Sequence, residues 1–187
     1  MTTLLLIRHG ETDWNRQGRY QGQSDVPLNP VGLEQAAAAA RALDGRPLDA
    51  VYTSDLQRAR ATAQAVAAAT GAPLLEDRRL REVHQGDWEG QLFDDIRVRD
   101  AERLAARRRD PLGIPPPGGE TVLEVRARAL AALDEIVRRH PAGRVAIVSH
   151  GLTLAVIKTH LAGAPIESVW ERIPPNAQAE EWTVEAP

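Results

Sequence analysis

The chain has 187 residues, 43% of them hydrophobic and 26% charged, and a net charge of −3 at pH 7. That length suits a single domain over 1–187 with a core that needs no staples, and the charge balance provides no basic field for nucleic acid or a membrane surface. The lack of cysteine excludes disulfides, thiolate nucleophiles and cysteine-based zinc sites, and no aliphatic stretch is long enough for a bilayer span or patterned as a secretory leader, so the expected location is the cytoplasm.

Leu4-Leu5-Leu6-Ile7 is a short apolar run that predicts a buried strand, and it stops at Arg8-His9-Gly10-Glu11-Thr12. Such a junction is either a strand end that happens to be polar or the lip of a ligand site, since open α/β sheets bind ligands beyond their carboxyl edge. Asn29 and Pro30 open a helix that runs through an alanine stretch to Leu43 and stops near Gly45. A strand over 50–53 leads into Ser54-Asp55-Leu56-Gln57, whose spacing predicts a capping box and a helix to about Thr70, closed by Gly71. Leu74-Leu75 is a weak strand, and residues 81–88 form a polar loop. The stretch 94–109 has a helical but very polar pattern, and Pro115-Pro116-Pro117-Gly118-Gly119 is an extended loop. Thr121 and Glu124 make a second capping box, with Val122, Val125, Ala129, Leu133 and Ile136 on one helical face. Val145-Ala146-Ile147-Val148 is the clearest strand, ending at Ser149-His150-Gly151. A helix to Leu161 and a strand over 181–184 complete the chain. Alternating strands and helices predict an α/β three-layer sandwich, its mainly parallel central sheet flanked by helices.

Three strand-to-helix junctions carry related groups: Arg8-His9, Ser54 with Arg58 a turn later, and His150-Gly151. In a parallel sheet they share one edge, where two histidines and two arginines would form a positive cup suited to a phosphoryl dianion. Taken singly, Arg58 reads as an exposed helix arginine, His150 as a strand-end histidine and Glu82 as a solvated acid. Their repetition at one topological position favours a site.

These motifs resemble those of the histidine phosphatase superfamily, the phosphoglycerate mutase-like proteins. The resemblance rests on Arg8-His9-Gly10-Glu11-Thr12 with Trp14-Asn15, on Arg19 to Asp25 with Pro27-Leu28, and on Ser54-Asp55-Leu56 with Arg58-Ala59. It continues through Leu80-Arg81-Glu82 with Gly86 and Trp88-Glu89-Gly90, Gly118-Gly119-Glu120-Thr121 and Val148-Ser149-His150-Gly151, and so spans almost the whole chain.

The resemblance implies a metal-independent phosphomonoesterase without a cofactor. His9 would be the nucleophile, accepting the phosphoryl group on neutral imidazole, and Glu82 the general acid and base. Arg8, Arg58, His150 and Asn15 would hold the phosphoryl oxygens, and Gln21, Gly22, His84 and Gly151 would contribute to substrate binding. A homodimer is the assembly the resemblance implies, and the partner is a small phosphorylated metabolite.

The alternatives are a cofactor-dependent phosphoglycerate mutase or an inactive phosphate-binding module. A short path from Trp88 to Gly118 and little chain after the last strand favour hydrolysis, and the intact set of Arg8, His9, Arg58, Glu82 and His150 speaks against inactivity. The loop 80–88 is similar to that of the glucosyl-3-phosphoglycerate phosphatases, with α-ribazole and broad sugar-phosphate phosphatases as near rivals. Gln85 departs from the family, in which mutases carry an aromatic hydroxyl there and many phosphatases a phenylalanine. The other histidines are assigned no chemistry: His140 sits at a helix end and His160 on the last helix. Arg107-Arg108-Arg109 reads as a solvated helix end, or less readily as a rim that meets a substrate carboxylate. Trp88 is expected to pack beneath the acid loop, and Trp170 and Trp182 to be core or interface residues.

Overall fold

Residues 1–43 and 45–185 are described by the structure, a computed structural model. At its centre lie β1 (Thr2–Arg8), β2 (Ala50–Thr53), β3 (Leu74–Glu76), β4 (Arg144–Ser149) and β5 (Ala179–Val184), in the spatial order β3-β2-β4-β1-β5. β1 pairs in parallel with β4, β4 with β2 and β2 with β3, while β5 runs antiparallel along the free side of β1. The helices are α1 (Asp13–Gln17), α2 (Pro30–Ala42), α3 (Gln57–Thr70), α4 (Phe93–Arg99), α5 (Ala101–Arg109), α6 (Val122–Arg139) and α7 (Gly151–Leu161).

Alternate side chains of a strand face opposite ways, and this divides the core into two layers. Leu4 and Leu6 join Tyr52, Val145 and Ile147 beneath α6 and α7. Leu5 and Ile7 join Val51, Ala146 and Val148 beneath α3, whose Ala63 and Val66 face the sheet. Four consecutive β1 side chains are therefore buried, each contributing about 1.5–3 kcal/mol relative to exposure. This explains the unbroken apolar run: a central strand has no solvent face.

Three local expectations are revised. The stretch 94–109 is two helices, broken at Asp100. Trp88 is fully buried, and its indole N–H donates to the Asp100 carboxylate at 2.7 Å. Satisfying that donor turns the chain, so that Ile96 and Leu104 close over the ring. Second, Ser54 does not cap α3. The helix begins at Gln57, whose N–H donates 2.7 Å to Asp25 Oδ1 from a distant loop, and Ser54 Oγ is bound to His150 instead. Third, α1 had no counterpart in the sequence reading. Thr12 and Asn15 cap it reciprocally, with each backbone N–H donating to the other's side-chain oxygen at 3.1 Å. The box at Thr121 and Glu124 forms as expected, and β5 extends the expected 181–184 strand back to Ala179.

The loop after β1 rests directly on the first turn of α2. A Cβ on Gly10 would overlap the Gly32 carbonyl, and one on Gly32 would overlap the Glu11 carbonyl. Both neighbours are backbone, so neither can swing aside. Gly32→Ala is therefore expected to destabilise the protein by about 1–3 kcal/mol in urea melts and to lower turnover by displacing His9. Full activity with unchanged stability would contradict this close approach.

Candidate active site

Register brings the two histidines together. Arg8 lies opposite Ser149 in the β1–β4 ladder, and the His9 N–H donates to the Ser149 carbonyl at 3.0 Å. The next residue on each chain is thus His9 or His150, and their rings stand 5.1 Å apart between centroids. β2 ends alongside β4, so Ser54 reaches His150 Nε2 at 2.7 Å.

His9 is held on three sides. Its Nδ1 lies 2.7 Å from the Gly10 carbonyl, which can only accept, so Nδ1 carries the proton and Nε2 keeps its lone pair. Asn176 Nδ2 donates to the His9 carbonyl at 2.8 Å. The Gly10 N–H donates to Thr62 Oγ1 at 3.1 Å, and Thr62 Oγ1 in turn donates to the Arg58 carbonyl. Burial, and then the positive charges of Arg58 and Arg8, push the His9 imidazole well below its ordinary pKa, against the opposing pull of the Gly10 carbonyl. His150 is driven the same way by burial, by Arg58 and by its neighbours. Both rings are therefore neutral at pH 7.

Arg58 is fully buried, and burial brings its pKa down to about 10, which leaves it charged. Its two terminal nitrogens donate to the Ser24 and Gly22 carbonyls at 2.8 and 2.7 Å. Arg8 donates to the Pro174 carbonyl at 3.0 Å. Among the described residues, Arg8 Nε, Arg58 Nε and His150 Nδ1 are buried without a protein partner. Unpaired buried donors are costly, and a phosphoryl group's oxygens would satisfy them.

Glu82 sits at the amino end of α7. Its carboxylate accepts from the N–H groups of Val83 at 3.0 Å, Leu152 at 3.1 Å and Thr153 at 3.3 Å. Gly151, the first residue of α7, lies against both Glu82 and Arg8: a Cβ built on it would stand 3.5 Å from Glu82 Oε2 and from Arg8 Cζ, so acid and cation converge beside the histidines.

Of the sequence-predicted residues, Arg8, His9, Arg58, Glu82, His150 and Gly151 are gathered here, and Gly22 joins through its carbonyl. Gln21 lies in the adjoining loop and Asn15 in α1. Thr12 Oγ1 donates to Gln21 Oε1 at 2.8 Å, and Asn15 Oδ1 is committed to the α1 cap, leaving its amide N–H groups as donors. His84 turns aside: its Nδ1 lies 3.1 Å from the Gly118 carbonyl and its Nε2 faces Glu89 at 3.7 Å. Among the described residues, no group of three or more His, Cys, Asp or Glu side chains is placed to hold a metal ion.

Sequence reading missed Arg128 on α6. Its guanidinium donates to the carbonyls of Arg79, Arg81 and Glu82 at 2.8, 2.6 and 2.9 Å. It also grips Glu120 at 2.9 Å, and Glu120 accepts from the His84 N–H at 2.8 Å. One planar fork thus orders the whole acid loop. The signal was an arginine three residues after Val125, at the margin of the apolar face.

The fold and this basic, histidine-paired cup at a parallel-sheet edge define a phosphoryl-transfer protein of the histidine type. A family model described as histidine phosphatase superfamily (branch 1) matches residues 4–185, and the chain belongs to that family. It is 38% identical to the glucosyl-3-phosphoglycerate phosphatase of Mycolicibacterium vanbaalenii over 88% of this chain and 76% of that protein. The metal-independent phosphoserine phosphatase of Arabidopsis thaliana is also 38% identical, over 88% and 70%. A probable phosphoglycerate mutase, GpmB of Serratia proteamaculans, is 36% identical over 88% and 77%. Bacillus stearothermophilus YhfR superposes with a TM-score of 0.90 at 37% identity, over 99% of this chain and 92% of its own.

Two outcomes are expected. Arg128→Met should lower kcat at least tenfold with a smaller change in KM, because Glu82 loses its backbone support. Arg128→Lys should not rescue it, since an ammonium cannot fork to three carbonyls. A wild-type kcat in either variant would exclude this positioning role. The second concerns pH. Both histidines titrate lower in the folded chain than in the unfolded one, so below about pH 6.5 the unfolded chain binds protons that the folded chain does not. Stability is then complete above pH 6.5 and falls as the pH drops, by roughly 1 kcal/mol per pH unit for each ring. Urea melts at pH 7.5 and 5.5 check this, and His9→Gln should remove about half of the loss.

Proposed function

We propose that the protein is a phosphomonoesterase that hydrolyses a small phosphorylated metabolite through a phosphohistidine on His9. The observation that carries this reading is the arrangement around His9: Nδ1 is tied to the Gly10 carbonyl, Nε2 is free, and unpaired guanidinium donors lie alongside. In the first step the Nε2 lone pair attacks phosphorus and the ester P–O bond breaks. The Glu82 carboxyl gives its proton to the departing alkoxide. In the second, the Glu82 carboxylate takes a proton from water, the water oxygen attacks phosphorus and the P–N bond breaks, returning phosphate and neutral His9. Arg8, Arg58 and His150 neutralise charge on the equatorial oxygens in both steps, which is most of what this chemistry requires.

Among relatives, the names glucosyl-3-phosphoglycerate phosphatase and phosphoserine phosphatase support hydrolysis and suggest the first substrates to try. Mutase activity is the second reading, favoured by the probable mutase at 36% identity. Both substrate transfers would use the same His9 chemistry and differ only in the acceptor. The proposal further holds that 1–187 is one domain, that it acts in the cytoplasm rather than on nucleic acid, and that it forms a homodimer. Among the described residues, no helix is long and apolar enough to cross a membrane.

Incubation with a phosphorylated substrate and rapid quenching should yield an acid-labile, base-stable phosphoryl label in wild type and none in His9→Ala. Glu82→Gln should still label, yet lose at least a hundredfold in turnover of alkyl phosphates and far less with 4-nitrophenyl phosphate, whose leaving group needs little proton donation. No label on wild type would overturn the covalent mechanism. Isomerisation of 3-phosphoglycerate with its bisphosphate cofactor, faster than phosphate release, would favour the mutase.

A further inference from the structure

Beside the phosphate cup lies a groove of about 410 Å³. Its apolar wall is made by Tyr20, Leu104, Pro111 and Trp170, the last an indole that is 41% exposed. Arg107 and Arg108 line the same groove. Arg107 is fixed by its Nε–H, which donates to the Ile114 carbonyl at 3.1 Å, and by stacking 5.4 Å above the Trp88 ring. Among the described residues, neither arginine forms an ion pair, whereas ten other arginines do.

The groove shares a wall with the reaction centre. Gln85 lines it, and the Gln85 backbone nitrogen packs against Gly22, 2.8 Å from where a Cβ would stand. The carbonyl of that same Gly22 accepts from Arg58. Tyr20 lies two residues earlier on the same loop. The wall between the groove and the guanidinium of the phosphate cup is thus the backbone of Gly22 and Gln85, with the Glu89 carboxylate packed against both. Gln85 Oε1 is buried without a protein partner among the described residues, which adds an acceptor at the inner end.

Two unpaired cations beside an exposed indole describe a ligand with both a flat ring and an anionic group. We infer that this groove is the leaving-group subsite, and that it selects phosphomonoesters whose leaving group carries a ring and a carboxylate. The ring would lie on Trp170 and the carboxylate would meet Arg107 and Arg108. This rests on the phosphatase reading. A small leaving group such as serine could reach the phosphate cup while leaving Trp170 uncovered.

Three esters test the idea with the full chain: 4-carboxyphenyl phosphate, phenyl phosphate and O-phosphoserine. The two phenols are similar leaving groups, so their ratio reports on the carboxylate. In wild type, kcat/KM for the carboxylated ester should exceed that for phenyl phosphate about tenfold. Arg108→Gln should bring that ratio toward one. Trp170→Ala should lower both aryl esters about tenfold relative to phosphoserine, mainly through KM. Both side chains are exposed, so neither substitution threatens folding. A wild-type ratio near one, a ratio unmoved by Arg108→Gln, or an equal effect of Trp170→Ala on all three esters would each overturn the subsite while leaving the phosphatase reading intact. No turnover of any ester and no label on His9 would remove both.

Discussion

The parallel pairing of β1 with β4 is the constraint on which the rest of the site depends. Setting Arg8 opposite Ser149 makes the next residues on two distant stretches of chain, His9 and His150, neighbours at one sheet edge. Nothing in either junction specifies the other. The apolar residues just before them do so, because a one-residue slip would turn each buried Leu, Ile and Val to the wrong layer. The energy that holds the register is hydrophobic, and the chemistry inherits its geometry from it.

Burial then does electrostatic work. Two arginines and two histidines crowded into a water-poor cup would repel one another if all were charged. The arginines keep their charge because the guanidinium is so basic, and the histidines give theirs up. The outcome is a neutral imidazole flanked by fixed cations, which suits the attack on a phosphoryl dianion that we propose for His9. Glu82 stands at the other end of this field, held by amide N–H groups at the start of α7 and by a loop clamped from behind by Arg128. The cup is preorganised by backbone contacts more than by side-chain pairs. The carbonyls of Gly22, Ser24 and Pro174 orient the guanidinium groups, and glycine at 10 and 32 allows the loop after β1 to close on α2.

Much of this was legible in the residues. Apolar runs located β1 and β4, and an asparagine before a proline located α2. A threonine three residues before a glutamate located α6. The coincidence of histidine and arginine at strand ends pointed to the cup. Legibility failed where a side chain had a better partner far away. Ser54 had the spacing of a cap but is bound to His150, and Asp25 caps α3 in its place. The helical pattern of 94–109 concealed a break that the Trp88 indole imposes through Asp100. Arg128 went unread because the three carbonyls it serves lie 46 to 49 residues earlier in the chain.

By itself, then, the sequence determined what is local or periodic: which runs are buried strands, where most helices start, and which residue types stand at their junctions. Those follow from patterning and from short-range hydrogen bonding, and both can be read along one segment. Only the tertiary structure decided which junctions meet, which polar groups are already spent and which remain unpaired. Such pairings depend on distance through space, and distance through space is set by the register of packed strands. The free donors around His9 and the arginines without a carboxylate partner beside Trp170 belong to that second kind, and the proposed chemistry and choice of substrate rest on them.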